Sequence, residues 1–191
     1  GGLTMNYYLD IQIRPDPEFT PALLMSVLYG KLHRALVSGG HDNLGVSFPE
    51  HSRSRQMIGR VLRLHSDLRI LDTFMSGGWL SGMADHVFVS GIQEVPVDAH
   101  YRVVRRVQGK TNVERVRRRH AKRHGLSIEQ AREVIPDAAE SHIKLPFIML
   151  RSLSTDRKFP LFIEHLPEHS SPVAGKFNTY GLSKTATVPW F

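Results

Sequence analysis

The chain has 191 residues, 41% of them hydrophobic, which suffices for one large domain or two small ones around a buried core. It contains no cysteine, so disulfides, thiolate nucleophiles, iron–sulfur clusters and cysteine zinc sites are excluded together. The formal charge of +7 is concentrated: Tyr101 to His124 carries ten Lys or Arg against one Glu, and the remaining chain has 15 basic and 17 acidic residues. Charge focused on one segment of an otherwise balanced protein is the footprint of a polyanion site. No apolar run of about 18 residues could span a bilayer and no signal peptide opens the chain, so a soluble cytoplasmic protein with no membrane association is expected. Gly1 to Thr4 precede Met5 and are read as an expression remnant.

Tyr8 to Arg14, YLDIQIR, puts Leu9, Ile11 and Ile13 on one face, the alternation of a half-buried strand. Thr20 and Pro21 form an N-cap and first-turn pair. Leu24, Val27, Leu28, Leu32, Ala35 and Leu36 then recur at helical spacing up to Gly39 and Gly40. LGVSF at 44–48 and RVLRLH at 60–65 predict strands, Asp67 to about Met75 a helix, and HVFVS at 86–90 a fourth strand. The order β-α-β-β-α-β is that of the ferredoxin-like split βαβ unit, so an α+β protein is expected with that domain over residues 5–94.

Pro96 marks a linker to a second half, 95–191. There YRVVRRVQ at 101–108 reads as extended, and Thr111 with Glu114 reads as a capping box for a helix over about 112–124 that Gly125 ends. Ser127 and Gln130 start another helix, closed by Pro136. LPFIMLRSLS and FPLFIEHL around TDRK predict a hairpin, and FNTYGLSK with ATVPWF a weaker strand pair.

On the first of these second-half helices, VERVRRRHAKRH, Arg115, Arg118, Arg119 and Lys122 share one face with Arg123 at its edge. A solvated helix would interleave Glu and Lys at i,i+4, whereas these cations have almost no acid to relieve them, so the stripe fits phosphates. His33 lies on its helix away from Leu24, sharing a side with Ser26 and Tyr29; such a histidine is ordinarily a surface residue, and catalysis is the alternative reading. Ser152, Ser154 and Thr155 beside Arg151 suit either turn chemistry or phosphate binding. QGKTN at 108–112 lacks the glycine loop of a phosphate-binding motif. The pairs His120/His124 and His165/His169 lack a third metal ligand, so neither metal nor cofactor is expected.

The stretches YLDIQIRPDPEF, LMSVLYGKLHRAL, GVSFP, RVQGKTNVERVRRRHAKRHGLS, LPFIMLRSLST, YGLSK and VPWF together resemble the CRISPR repeat-processing endoribonucleases of the I-F subtype. The resemblance implies a C-terminal domain, 95–191, that presents the arginine-rich helix to the major groove of an RNA hairpin. It implies that His33, Ser152 and Tyr180 form the catalytic group. It assigns RNA binding to Arg106 and Gln108, which read base edges, to Phe159, which stacks on the terminal base pair, to Ser154 and Thr155 near the cut, and to Arg115, Arg118, Arg119, Lys122 and Arg123 on the helix. Lys122 stands where the compared family member has arginine, exchanging a fork for a point charge. The implied partners are CRISPR repeat hairpin RNA, as precursor and as mature guide, and other CRISPR-associated subunits of an I-F surveillance complex. The implied reaction is metal-independent attack of a 2′-hydroxyl on the adjacent phosphate, and histidine as a residue type suits the general base. A non-catalytic hairpin-binding subunit is the alternative.

Overall fold

The computed structural model describes residues 5–108, 113–135 and 143–191, and the described residues form a mixed α+β structure with four α-helices and two antiparallel sheets. One compact unit takes the chain up to Arg106 and again from Leu145; Val107–Lys144 forms a second.

In the larger unit the first sheet runs β2 (Gly45–Ser47), β3 (Val61–Ser66), β1 (Tyr7–Ile13) and β4 (Val87–Val89), with the short β5 (Gln93–Glu94) also on β1. β1 is antiparallel to β3, with Leu9 opposite Leu64 and Ile11 opposite Leu62, and Leu9, Ile11 and Ile13 are all buried, as the alternation predicts. On its other face Asp10 accepts two hydrogen bonds from Arg63, at 2.7 and 2.9 Å, and the guanidinium lies against the rings of Tyr8 and Phe191. That pairing is why a charged residue is tolerated in mid-strand.

Helix α1 (Pro21–Gly39) starts where Thr20 Oγ1 accepts from the Leu23 amide, and it stops at Gly40, which takes the left-handed conformation and donates to the Leu36 and Val37 carbonyls. Helix α2 (Leu68–Ser76) is capped by Asp67, and buries Leu71 and Phe74. The buried stripe of α1 is Leu24, Met25, Leu28, Tyr29, Leu32 and Leu36. Two expectations are corrected here: Val27 is 42% exposed, and Tyr29, placed by periodicity beside His33, is fully buried. The stripe rotates because α1 packs against β7 as well as the first sheet.

The second sheet has the order β7 (Phe147–Arg151), β8 (Lys158–His165), β6 (His100–Val107), β9 (Thr187–Trp190). The expected hairpin is present as β7 and β8. The expected pairing of FNTYGLSK with ATVPWF is not: β9 pairs with β6, Val103 opposite Thr187, and residues 178–182 form a turn. Asn178 Oδ1 accepts from the amides of Tyr180 and Leu182, and Gly181 adopts φ 70° where a Cβ would meet Val46 at 2.6 Å. Asn and Gly at these positions are turn chemistry, which outweighs the flanking apolar residues.

The histidine pair 165/169 separates on β8 and the loop after it. His165 is stacked on His51 at 3.7 Å, with Trp190 at their edge, and its Nε2 accepts from the Phe48 amide. His65, fully buried, contacts Ser47 Oγ at 2.8 Å. Burial drives His165 down to about 2, with His51 and Arg102 adding repulsion; burial likewise holds His65 well below the ordinary imidazole range.

In the smaller unit α3 (Val113–His124) ends at Gly125, and α4 (Ile128–Val134) opens with a Ser127–Gln130 capping box. Ala121 and Ala131 are buried, and Arg117, 4% exposed, donates from Nε to the Ile135 carbonyl. The Thr111 capping box and the Pro136 stop lie outside the described residues.

Both buried histidines gain a proton on unfolding that they lack in the fold, so their contribution is fully present above the ordinary imidazole pKa and is lost as pH falls below it. Denaturant unfolding should therefore show stability dropping by about 2–3 kcal/mol between pH 7 and 5.5. A flat profile across that interval would contradict the neutral cluster.

Candidate functional site

The site is built on the exposed margin of α1. Placing Tyr29 in the core turns His33, one turn further on, to the helix edge, where it is half-buried. Its ring stacks on Tyr180 with centroids 4.1 Å apart and planes within 8°. Its Nδ1 is 2.7 Å from the Thr179 carbonyl oxygen. A carbonyl can only accept, so Nδ1 carries the proton and, in the neutral ring, Nε2 is left as the lone-pair nitrogen.

The turn that supplies Thr179 and Tyr180 is tied to the core. Tyr29 donates its phenol proton to the Tyr180 carbonyl at 2.6 Å, and complete burial raises the phenol well above its ordinary pKa, so it remains a donor. The Tyr29 and Tyr180 rings lie parallel, 9° between planes and 6.4 Å between centroids. Periodicity alone misses Tyr29 and the Thr179 carbonyl; the available signal is Tyr29 four residues before His33.

Arg106 on β6 extends the arrangement. Its guanidinium faces Phe159 at 5.5 Å and Tyr180 at 5.7 Å from the ring centroids, distances at which cation–π attraction operates. The preceding Arg105 is directed instead to Glu164, donating twice to one oxygen at 2.9 and 2.8 Å. Alternation along the strand thus sends one arginine to a carboxylate and the next to two aromatic faces.

Ser152, Ser154 and Thr155 sit in the turn between β7 and β8. The Ser152 hydroxyl is 3.1 Å from Ser154 Oγ and accepts from the Thr155 amide at 3.3 Å, and Asp156 closes the turn with φ 55°. This is the turn chemistry held open in the sequence reading, and Arg151 and Leu153 flank Ser152 along the edge of a groove that also contains His33. Among the described residues no hydrogen bond joins His33 to Ser152, whose partners lie within its own turn. His33, Tyr180, Arg106 and Phe159 are brought together as a contiguous group.

Gln108, in the smaller unit, is exposed at the end of β6. On α3 the side chains of Arg115, Arg118, Arg119, Lys122 and Arg123 are all exposed, whereas Arg117, the arginine outside the stripe, is the buried one. Helical projection therefore separates the solvent-facing cations from the structural one. His120 and His124 lie 4.4 Å apart, ring to ring. Among the described residues no group of three or more His, Asp or Glu side chains is arranged to hold a metal ion, and no helix is long and apolar enough to cross a membrane.

An oriented imidazole, arginine beside open aromatic faces and a one-sided basic helix are the side chains used for acid–base chemistry on a nucleic acid. Comparison with known proteins gives a specific family: the model described as "CRISPR-associated protein (Cas_Csy4)" matches residues 8–191. A protein of Pseudomonas aeruginosa (strain UCBPP-PA14), "CRISPR-associated endonuclease Cas6/Csy4", is 50% identical over 187 residues, 98% of this chain and 100% of that protein. One of the same name from Escherichia coli (strain UTI89 / UPEC) is 43% identical over the same shares. The chain belongs to the Cas_Csy4 family.

Nitrogen-15 NMR of the RNA-free protein near pH 8 should find the His33 proton on Nδ1, and a majority Nε2–H form would contradict the Thr179 contact. Tyr29→Phe should erode that preference and cost about 1 kcal/mol of stability, read from denaturant unfolding.

Proposed function

We propose that this protein is an endoribonuclease that binds the hairpin of a CRISPR repeat and cuts precursor guide RNA beside it, without a metal ion. It then stays on the product hairpin as a subunit of the guide-RNA complex, in the cytoplasm. The observation that carries the reading is His33: its Nδ1 proton is engaged by Thr179, its ring is held flat by Tyr180, and Nε2 is left as a base. The endonuclease names of the two relatives support it.

Nε2 of His33 takes the proton of the 2′-hydroxyl, and the freed oxygen bonds to the adjacent phosphorus. The bond from phosphorus to the 5′ oxygen breaks, and that oxygen takes a proton from solvent while His33 Nε2 later returns its own to solvent. The products are a 2′,3′-cyclic phosphate and a 5′-hydroxyl. RNA brings its own nucleophile, so the residues need only supply a base and alignment. Ser152, by exchanging its hydroxyl's turn contacts for the ribose, and Tyr180, by fixing the imidazole plane, complete the catalytic group, with Ser154 and Thr155 near the cut.

Arg106 and Gln108 read base edges at the foot of the stem, where a guanidinium suits guanine and an amide suits adenine. Phe159 stacks on the last base pair. The α3 stripe grips phosphates in the groove, which in A-form RNA opens to a helix only near the end of a short stem. The N-terminal region is read as ferredoxin-like, supported by the element order and by a sheet with β1 between β3 and β4. The domain division near residue 95 belongs to the same reading.

Hairpin cleavage should persist in EDTA and cease when the nucleotide before the scissile phosphate is 2′-deoxy. His33→Ala should slow cutting by roughly 10²–10⁴-fold with hairpin affinity retained, and unchanged cutting would refute its role. Arg119→Ala should weaken binding and reduce the slope of log affinity against log salt by about 0.7–0.9; an unaltered slope would remove that residue from the phosphate contacts.

A further inference from the structure

Beside His33 a groove of about 380 Å³, whose lining does not include Arg106, lies between α1 and β7 with the turn after it. Its walls are mixed in a particular way. Leu23 and Val27 of α1 face Met149 and Leu153, and all four are more than two-fifths exposed. Arg34, Arg151 and Lys158 also line it, and no carboxylate is part of the lining. Asp156 engages Arg151 at 3.1 Å, whereas Arg34 and Lys158 have no carboxylate partner among the described residues. Exposed apolar walls bordered by cations match a nucleobase and its phosphates. The volume is at the lower end of the roughly 300–1,000 Å³ typical of small-ligand sites, the scale of a nucleotide and too small for a duplex.

Gly30 points the same way. It sits in the middle of a 19-residue helix, where glycine destabilises relative to alanine. A Cβ there would meet only the Arg34 guanidinium, at 3.7 Å, so no packing within the protein requires its absence. The space left by the missing side chain belongs to the groove.

The lining indicates which part of the RNA this is. Arg106 faces the rings of Phe159 and Tyr180, His33 stacks on Tyr180, and His33 and Tyr180 both line the groove whereas Arg106 and Phe159 do not. If Arg106 and Phe159 hold the foot of the stem, as the proposed function has it, the groove receives the strand running away from the stem. We infer that the α1–β7 groove binds the first nucleotide of the leaving strand, its base against Val27 and Leu153 and its phosphates beside Arg34 and Lys158. The groove would then help hold the departing 5′ oxygen in line.

The test is a cycle between protein and RNA. Two hairpin substrates, one with a normal nucleotide just beyond the cut and one abasic there, are cleaved under single-turnover conditions by wild type, by Val27→Ala/Leu153→Ala and by Gly30→Leu. Wild type should cut the abasic substrate roughly tenfold more slowly. Both variants should cut the two substrates within about twofold of each other while binding the cleaved hairpin as wild type does. Equal wild-type rates, or a penalty that the variants retain in full, would overturn the groove assignment, including in favour of a protein occupant. Equal rates with His33→Ala inactive leave the proposed function standing, whereas no cleavage of either substrate by wild type removes both.

Discussion

The hydrogen bond from the Tyr29 hydroxyl to the Tyr180 carbonyl, 2.6 Å long and anchored at its donor end in the core, is the constraint on which the site's geometry depends. A buried phenol without an acceptor would cost about 1–3 kcal/mol, so the carbonyl is held firmly. The carbonyl fixes residue 180, the turn through Asn178 and Gly181 fixes residue 179, and the two together give His33 a ring to stack on and a carbonyl to donate to. One core residue thereby sets the proton position on a surface imidazole. The imidazole needs no carboxylate to orient it, in contrast with arrangements in which an acid performs that task.

The cations of the larger unit are sorted by partner. Arg63 is spent on Asp10, Arg105 on Glu164 and Lys176 on Asp42, and these pairs serve folding. Arg106, Arg34 and Lys158 have no carboxylate among the described residues and lie around His33. The smaller unit repeats the division: Arg117 is buried against the Ile135 carbonyl, and the stripe on α3 faces solvent. The local excess of positive charge in the sequence is therefore the surplus that remains after structural pairing, and a polyanion is the partner that such a surplus fits.

Much of this was legible in the sequence, because it follows from local chemistry. The caps at Thr20 and Ser127, the alternation of β1, the β7–β8 hairpin and the cationic face of α3 were all readable from spacing. The misses arose where a second neighbour intervened. α1 contacts β7 as well as the first sheet, so its buried stripe widens to take in Tyr29 and Met25 and leaves Val27 exposed, which a single-face projection cannot show. FNTYGLSK had enough apolar residues to suggest a strand, but Asn178 and Gly181 dictate a turn, and it is the turn that presents Thr179 and Tyr180. The resemblance pointed to His33 and Tyr180 without giving the tautomer, which is a property of a backbone carbonyl and has no residue signature.

The most direct measurement of the central claim, that an imidazole base activates the RNA's own hydroxyl, is the mass of the product ends formed from a repeat hairpin by the wild-type protein. The account predicts a 2′,3′-cyclic phosphate on the hairpin fragment and a 5′-hydroxyl on the leaving strand. A 3′-hydroxyl with a 5′-phosphate would mean that water, and not the ribose, had attacked, and would contradict it.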